Sequence, residues 1–331
     1  MSDELLHVDS FSICFDTLDG TVKALNDLSL SIGRKEIVGL VGESGSGKTV
    51  LGLSIMGLIP TPPGRIVSGR ILFQGTDITS LGQAGMENLR GTGISMIFQE
   101  PMTSLNPVYT VGNQIEESIK LRIQRNSEEK TASKESVRRE VLEALRLVRI
   151  ADPERVGKRY PHELSGGMRQ RVMIAMALAA KPALIIADEP TTALDVTTQA
   201  QVLQLIRDLV EEVNASILII THDFGVVAEI ADRVDVMYAG RIVEERQVAD
   251  IFEDPKHPYT QGLLHSLPYL KKAEQRLETI PGSVPSLIHI PSGCPFHPRC
   301  KYVMKECSEV EPASRNVENG KVACFLYGSD R

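Results

Sequence analysis

An α/β fold with a buried parallel sheet and a phosphate-binding turn is predicted by three strings of this sequence. The first, Gly42-Glu43-Ser44-Gly45-Ser46-Gly47-Lys48-Thr49, fits G-x-x-x-x-G-K-[ST] between an apolar run, Glu36 to Val41, and a helical-looking stretch, Thr49 to Leu58. The second, Leu184-Ile185-Ile186-Ala187-Asp188-Glu189, ends four apolar residues in a carboxylate pair. That is the pattern of a buried parallel strand delivering acids at its C-terminal end. The third, Leu164-Ser165-Gly166-Gly167-Met168-Arg169-Gln170, sets a Ser-Gly-Gly turn before the apolar run Val172 to Ala180, which reads as a buried helix stopped at Lys181-Pro182.

Each string carries its own chemistry. In the first, Gly42, Ser44, Gly45, Ser46 and Gly47 let successive backbone N–H groups turn inward on phosphates. Lys48 adds a point charge near the β/γ oxygens, and the Thr49 hydroxyl can ligate Mg²⁺. Alone, such a string is also an ordinary Gly-rich turn. In the second, Asp188 suits the Mg²⁺ shell, while Glu189, one residue on, points elsewhere and suits polarisation of an attacking water. Without the first string, an Asp-Glu pair is a solvated strand end.

Composition narrows the class. A chain of 331 residues favours one large domain plus a smaller addition. A formal charge of −7 and a pI near 5.6 argue against a protein built to grip a nucleic-acid backbone. No run reaches the roughly 18 apolar residues that span a bilayer, and Met1-Ser2-Asp3-Glu4 lacks the basic start of a secretion signal. The expectation is a cytosolic protein whose dealings with a membrane go through partners.

The third string, Ser165-Gly166-Gly167 followed by Met168-Arg169-Gln170, resembles the signature of ATP-binding-cassette ATPases. Other motifs of that family follow in its order between residues 36 and 245. Gln99 after Met96-Ile97-Phe98 looks like the Q-loop, Ala193-Leu194-Asp195 like the D-loop, and Thr221-His222-Asp223 after Ser216 to Ile220 like the H-loop. Alone, His222 is a satisfied or exposed histidine and Gln99 a surface amide; their joint order carries the resemblance. It implies a P-loop NTPase cassette fold binding ATP and Mg²⁺, with Thr49, Gln99 and Asp188 around the metal and Glu189, His222 and Gln99 as the catalytic set. It also implies a head-to-tail pair with a second cassette subunit, in which Ser165, Gly166 and Gly167 cap the partner's ATP. A Ser-Gly-Gly turn at a helix start suits a γ-phosphate for the same electrostatic reason as the first string.

Organisation follows. Residues 1 to about 35, with Leu25 to Ile32 ending at Gly33-Arg34, and Gly69 to Phe73 read as strands. They resemble the family's antiparallel β-subdomain, whose aromatic stacks on adenine; Phe15 is the candidate, and its alternation with Ile13 allows a core position instead. Residues of about 100–163 resemble the helical subdomain, with Val141, Leu142, Leu145 and Val148 at helical spacing and a solvated charged stretch from Asn126 to Glu135. Asp235 to Tyr238, Ala239-Gly240 and Arg241 to Glu244 read as a hairpin. The cassette domain is placed at 1–250.

Residues 251–331 form a tail crowded with proline, so regular structure is expected to be scarce. Asp254-Pro255-Lys256-His257-Pro258-Tyr259-Thr260, Ile280 to Pro285 and Gly293-Cys294-Pro295-Phe296-His297-Pro298-Arg299-Cys300 resemble the C-terminal extension of dipeptide and oligopeptide permease ATP-binding subunits. Gln99-Glu100-Pro101-Met102-Thr103-Ser104-Leu105-Asn106-Pro107 is similar to the Q-loop of the same group. Cys294, Cys300, Cys307 and Cys324 follow the spacing C-x5-C-x6-C-x16-C, without the close pairs usual in a four-cysteine zinc site. Four loop thiolates can instead hold a [4Fe–4S] cluster, as some members of this subfamily do on this segment. The cluster is the expectation; zinc and unliganded thiols or a disulfide are the alternatives. His289 and His297 lie near enough to replace a ligand, and Cys14 reads as a small core residue.

The resemblance therefore implies an ATPase subunit powering dipeptide or oligopeptide import. Its partners are a second, paralogous cassette chain, two transmembrane permease subunits and an extracytoplasmic solute-binding protein; its place is the cytoplasmic face of the membrane. An importer for nickel or sugar oligomers shares the same tail and is the alternative. A soluble cassette ATPase acting on nucleic acid is a remote one, since neither a sustained heptad run nor a second phosphate-binding string occurs.

Overall fold

The computed structural model describes residues 4–100, 104–125, 132–192, 194–267 and 279–328. Pro101, Met102 and Thr103 of the Q-loop string, residues 126–131 of the charged stretch, Ala193 and Pro268 lie outside them. The elements run β1 (Glu4–Thr17), β2 (Gly20–Gly33), β3 (Ile37–Val41), α1 (Lys48–Ile55), β4 (Gly64–Phe73), β5 (Thr76–Asp77), α2 (Gly82–Leu89) and β6 (Ile94–Ile97). Next come α3 (Val111–Arg125), α4 (Lys134–Leu147), α5 (Pro153–Val156), α6 (Gly166–Ala179), β7 (Leu184–Asp188), α7 (Val196–Val213) and β8 (Ser216–Thr221). The remainder is α8 (Phe224–Ile230), β9 (Arg233–Tyr238), β10 (Arg241–Gln247), α9 (Val248–Glu253), α10 (Pro258–His265), α11 (Lys305–Glu309), β11 (Arg315–Val317) and β12 (Gly320–Val322). Among the described residues no helix is long and apolar enough to cross a membrane.

The chain divides into two compact units. Ile32–Ile37 and Ile78–Ile220 make up most of the first. In it β6, β7 and β8 pair in parallel, Ile94 opposite Leu184 and Asp188 opposite Ile220, and every residue of β6 and β7 is buried. Burial on both faces explains the unbroken apolar runs. Helices α3, α4 and α6 pack on one another. The α4 stripe Val137, Val141 and Leu145 is buried and Leu142 is only half-buried, so the core face is narrower than the sequence spacing suggested. Arg122 reaches Glu140 at 2.6 Å, linking α3 to α4.

The second unit holds Leu6–Ser31, Val38–Asp77 and the chain from Thr221 onward. One antiparallel sheet, in the order β2-β1-β4-β5, matches the expected β-subdomain. In the other, β3 pairs in parallel with β9, and β9, β10, β12 and β11 follow antiparallel. The β9–β10 turn places Ala239 at φ 46° and Gly240 at φ 82°, both left-handed, which matches the twist a two-residue hairpin requires. Helix α1 ends at Ile55, three residues before the predicted Leu58. Gly57 at φ 59° turns the chain, and the Leu58 N–H returns to the Leu53 carbonyl at 2.9 Å, a six-to-one closure that terminates the helix.

Beyond residue 250 regular structure is confined to short pieces, yet the segment is not peripheral. Tyr238 and Val236 of β9 share one core with Tyr259, Leu264, Cys294, Phe296 and Cys307. The rings of Tyr238 and Tyr259 lie 4.6 Å apart, and Phe296 meets Tyr238 edge-on at 5.3 Å. Such pairs add to the area that they bury.

Leu145 is fully buried and Leu142 half-buried on the same helix. Leu145→Ala is expected to cost about 3 kcal/mol in urea unfolding and Leu142→Ala about 1 kcal/mol or less. Equal costs would show that the α4 face is wrongly assigned.

Candidate functional site

Strand β3 is buried throughout and releases the chain at Gly42, where a Cβ would come within 2.2 Å of the Met237 carbonyl. Gly45 at φ 79° and Gly47 at φ 106° then take the left-handed conformations that fold the loop back on itself. Lys48 opens α1 and is 6% exposed; its Nζ donates to the carbonyls of Gly42 at 2.7 Å and Glu43 at 3.0 Å. The first turn of α1 contains no acid, and its N-cap Gly47 offers no side chain to the leading N–H groups. A helix start of this kind, with a lysine beside it, fits the polyphosphate of a nucleotide. Thr49 is exposed on the same turn, and the Ser46 carbonyl accepts the Gly240 N–H at 2.8 Å, so the β9–β10 turn braces the loop.

The first unit carries the acids. Asp188 ends β7 and is 2% exposed. Glu189 follows at φ 46°, an uncommon conformation outside glycine, which sends its side chain away from the line of the strand. Its Oε2 accepts from the Gln99 amide at 2.9 Å and from the Thr192 hydroxyl at 2.8 Å, and its N–H donates to the Ile220 carbonyl. The two motif residues Gln99 and Glu189, ninety positions apart, are therefore hydrogen-bonded. Sequence reasoning missed Thr192, whose only signal is its place three residues after Glu189.

Ser165 caps α6 by accepting the Met168 N–H at 3.4 Å. Beside it the two glycines differ in surroundings. A Cβ on Gly167 would stand 2.8 Å from the Thr198 Cγ2 of α7, whereas a Cβ on Gly166 would meet no described atom within 4 Å. Asp195 caps α7, and the Thr198 hydroxyl and N–H hold its carboxyl below the usual carboxylate range.

In the second unit, His222 is exposed between β8 and α8, where the Thr221 hydroxyl accepts the Asp223 N–H and Asp223 caps the helix. Phe15 is half-buried on β1 opposite Gly64, so part of its ring is open and part packs on that glycine. Cys14 is buried.

The four tail cysteines are free thiols and line one cavity with His257, Phe296, His297 and Met304. Burial, with the neighbouring thiols adding, pushes Cys294 up to about 12 and Cys324 to about 11, and raises Cys300 as well. His257 is fully buried and lowered to about 3; its Nδ1 accepts the Tyr259 N–H, so it is neutral and already engaged. The Nδ1 of His297 lies 3.0 Å from the Cys294 carbonyl. Among the described residues no group of three or more His, Cys, Asp or Glu side chains is arranged to hold a metal ion. The donor set expected for a [4Fe–4S] cluster, or for zinc, thus lines one space without forming a ligand group among the described residues.

A second feature was invisible in the sequence. Arg299, between Cys300 and its preceding turn, pairs through both terminal nitrogens with the carboxylate of Glu43 in the phosphate loop, at 2.7 and 3.1 Å. No spacing rule signals a contact between residues this far apart.

The chain matches the family described as ABC transporter over residues 25–192 and the oligopeptide/dipeptide transporter C-terminal region over residues 243–307. It is 51% identical over 316 residues to the oligopeptide transport ATP-binding protein OppD of Bacillus subtilis, covering 95% of this chain and 86% of that protein. It is 48% identical over 320 residues to the dipeptide transport ATP-binding protein DppD of Haemophilus influenzae, covering 97% and 94%. Among solved structures it is similar to the dimeric bacterial ABC transporter cassette MJ0796, with a TM-score of 0.64 and 28% identity over 73% of this chain and 98% of that one. The cbiO1 structure from Clostridium perfringens, part of the ABC transporter complex cbiONQ, gives the same TM-score and identity over 76% and 92%.

The glycines of the signature turn make a stability test. Gly167→Ala is expected to destabilise the chain by about 1–2 kcal/mol through the clash with Thr198, while Gly166→Ala leaves thermal stability unchanged or slightly raised. Equal losses would mean that both glycines serve the fold alone.

Proposed function

This chain belongs to the ABC transporter family and is the ATPase subunit of a peptide importer, and from that premise we propose the roles of its residues. Glu189 accepts a hydrogen bond from the attacking water and aligns it on the γ-phosphate. The observation that carries this role is the anchored carboxylate: Gln99 and Thr192 both donate to Oε2 and hold that oxygen in place. A water-orienting group of this kind is what phosphoryl transfer requires. Gly42 to Gly47 cradle the phosphates, Lys48 neutralises the β/γ oxygens, and His222 faces the γ-phosphate. Thr49, Asp188 and the amide oxygen of Gln99 are the groups that would hold Mg²⁺, which would supply neutralisation of the phosphate charge. Phe15 offers its open edge to adenine.

Ser165, Gly166 and Gly167 cap the ATP of a second cassette chain. The open space at Gly166 supports this reading, because the isolated fold has no need of a glycine there. The importer is completed by two transmembrane permease subunits and an extracytoplasmic solute-binding protein, and the chain sits at the cytoplasmic face of the membrane. Its cassette domain spans 1–250, with the helical subdomain at about 100–163, and the oligopeptide-transporter extension spans 251–331. In that extension we assign Cys294, Cys300, Cys307 and Cys324 to a [4Fe–4S] cluster. What supports the assignment is the single cavity that all four thiols line.

Glu189→Gln should preserve ATP binding and nearly abolish hydrolysis at this chain's site, while Lys48→Ala weakens binding itself. Site-resolved hydrolysis in the assembled transporter decides it, and wild-type turnover with Glu189→Gln would remove Glu189 from its role. For the tail, anaerobic purification with iron and sulfide analysis should give about four of each per chain. Stoichiometric zinc without sulfide, or an ordered tail without metal, would exclude the cluster.

A further inference from the structure

Glu43 is the second residue of the phosphate loop, and groups from the far end of the chain hold both its main chain and its side chain. The Tyr259 hydroxyl accepts the Glu43 N–H at 2.8 Å. Arg299 grips the Glu43 carboxylate through both terminal nitrogens, while its Nε donates to the Pro281 carbonyl at 3.0 Å and Nη1 to the Tyr238 hydroxyl at 3.4 Å. Tyr259 and Tyr238 are fully buried and Arg299 is 8% exposed, so the clamp is rigid and largely shielded from water. A bidentate guanidinium–carboxylate pair in such surroundings fixes direction as well as position.

Two consequences reach the phosphate-binding groups. The Glu43 N–H belongs to the peptide unit whose carbonyl is that of Gly42, the 2.7 Å acceptor of the Lys48 ammonium. Tyr259 therefore sets the plane of the peptide that anchors Lys48. The next carbonyl, of Glu43 itself, accepts both Lys48 Nζ at 3.0 Å and the Ser46 N–H at 3.2 Å. The second consequence is electrostatic: without Arg299 an uncompensated carboxylate would stand on a loop whose task is to receive a polyanion.

We propose that Arg299 and Tyr259 are positioning residues for ATP binding, turning the Glu43 carboxylate away from the phosphates and fixing the peptide that holds Lys48. The extension is then a structural component of the nucleotide site. This rests on residues 42–49 being the ATP loop, and Lys48→Ala serves as the control for that premise.

Binding of a fluorescent ATP analogue to the purified full chain, with thermal stability recorded in parallel, tests it. Arg299→Met should weaken binding about tenfold, the scale of losing a charged hydrogen-bonded pair. Glu43→Gln in the Arg299→Met background should restore it to within about threefold, because the released charge is gone; a merely structural ion pair would show no such relief. Tyr259→Phe should weaken binding about fivefold and raise KM more than it lowers kcat. Wild-type affinity with Arg299→Met, or a loss that Glu43→Gln fails to relieve, overturns the proposal. Should Arg299→Met not fold, Tyr259→Phe decides alone, and wild-type affinity there is equally fatal. Unchanged binding with Lys48→Ala would instead overturn the assignment of the loop, and the proposal with it.

Discussion

Lys48 is an ammonium withdrawn almost completely from water, and a charge in that position must be met by acceptors or it cannot stay. The carbonyls of Gly42 and Glu43 meet it, and they can do so only because the loop doubles back through the left-handed glycines at 45 and 47. That loop in turn needs a fixed origin, the end of buried β3, and a brace, the Gly240 N–H on the Ser46 carbonyl. The ammonium is thus the centre around which strand end, turn and helix start are arranged. A phosphate chain would meet groups already oriented, with little left to organise on binding.

The acids follow a different logic. Asp188 and Glu189 are neighbours in sequence, and an ordinary strand would already send them to opposite faces. Here Glu189 also leaves the strand conformation for one that non-glycine residues avoid, at a cost of about 1–3 kcal/mol. Two hydrogen bonds to a single oxygen and one from the Glu189 N–H offset that cost.

The parts of the site legible in the sequence are those whose chemistry is local. A glycine-rich turn with its lysine, a carboxylate pair at the end of an apolar run, and a Ser-Gly-Gly cap each announce themselves within eight residues. Local rules fail where tertiary contacts decide. Leu142 turns partly to solvent although its spacing is right, and Thr192 reaches Glu189 through a loop with no motif, whereas the early stop of helix α1 at Gly57 is a local closure. The cysteines were found by count and spacing, yet their distances belong to the fold. The contact of Arg299 with Glu43 crosses 256 positions, and nothing in either neighbourhood anticipates it.

The parallel pairing of β3 with β9 has a bearing on how the protein is made. Val38 lies opposite Arg233, so the strand that launches the phosphate loop leaves the ribosome long before its partner does. At bacterial-to-eukaryotic synthesis rates of roughly 5–20 residues per second, that wait is on the order of ten to forty seconds. The shared aromatic core adds a further delay, since Phe296 and Cys307 arrive later still. Throughout, a strand with no exposed residue in the finished molecule is a bare apolar segment of nascent chain, a natural target for holding chaperones.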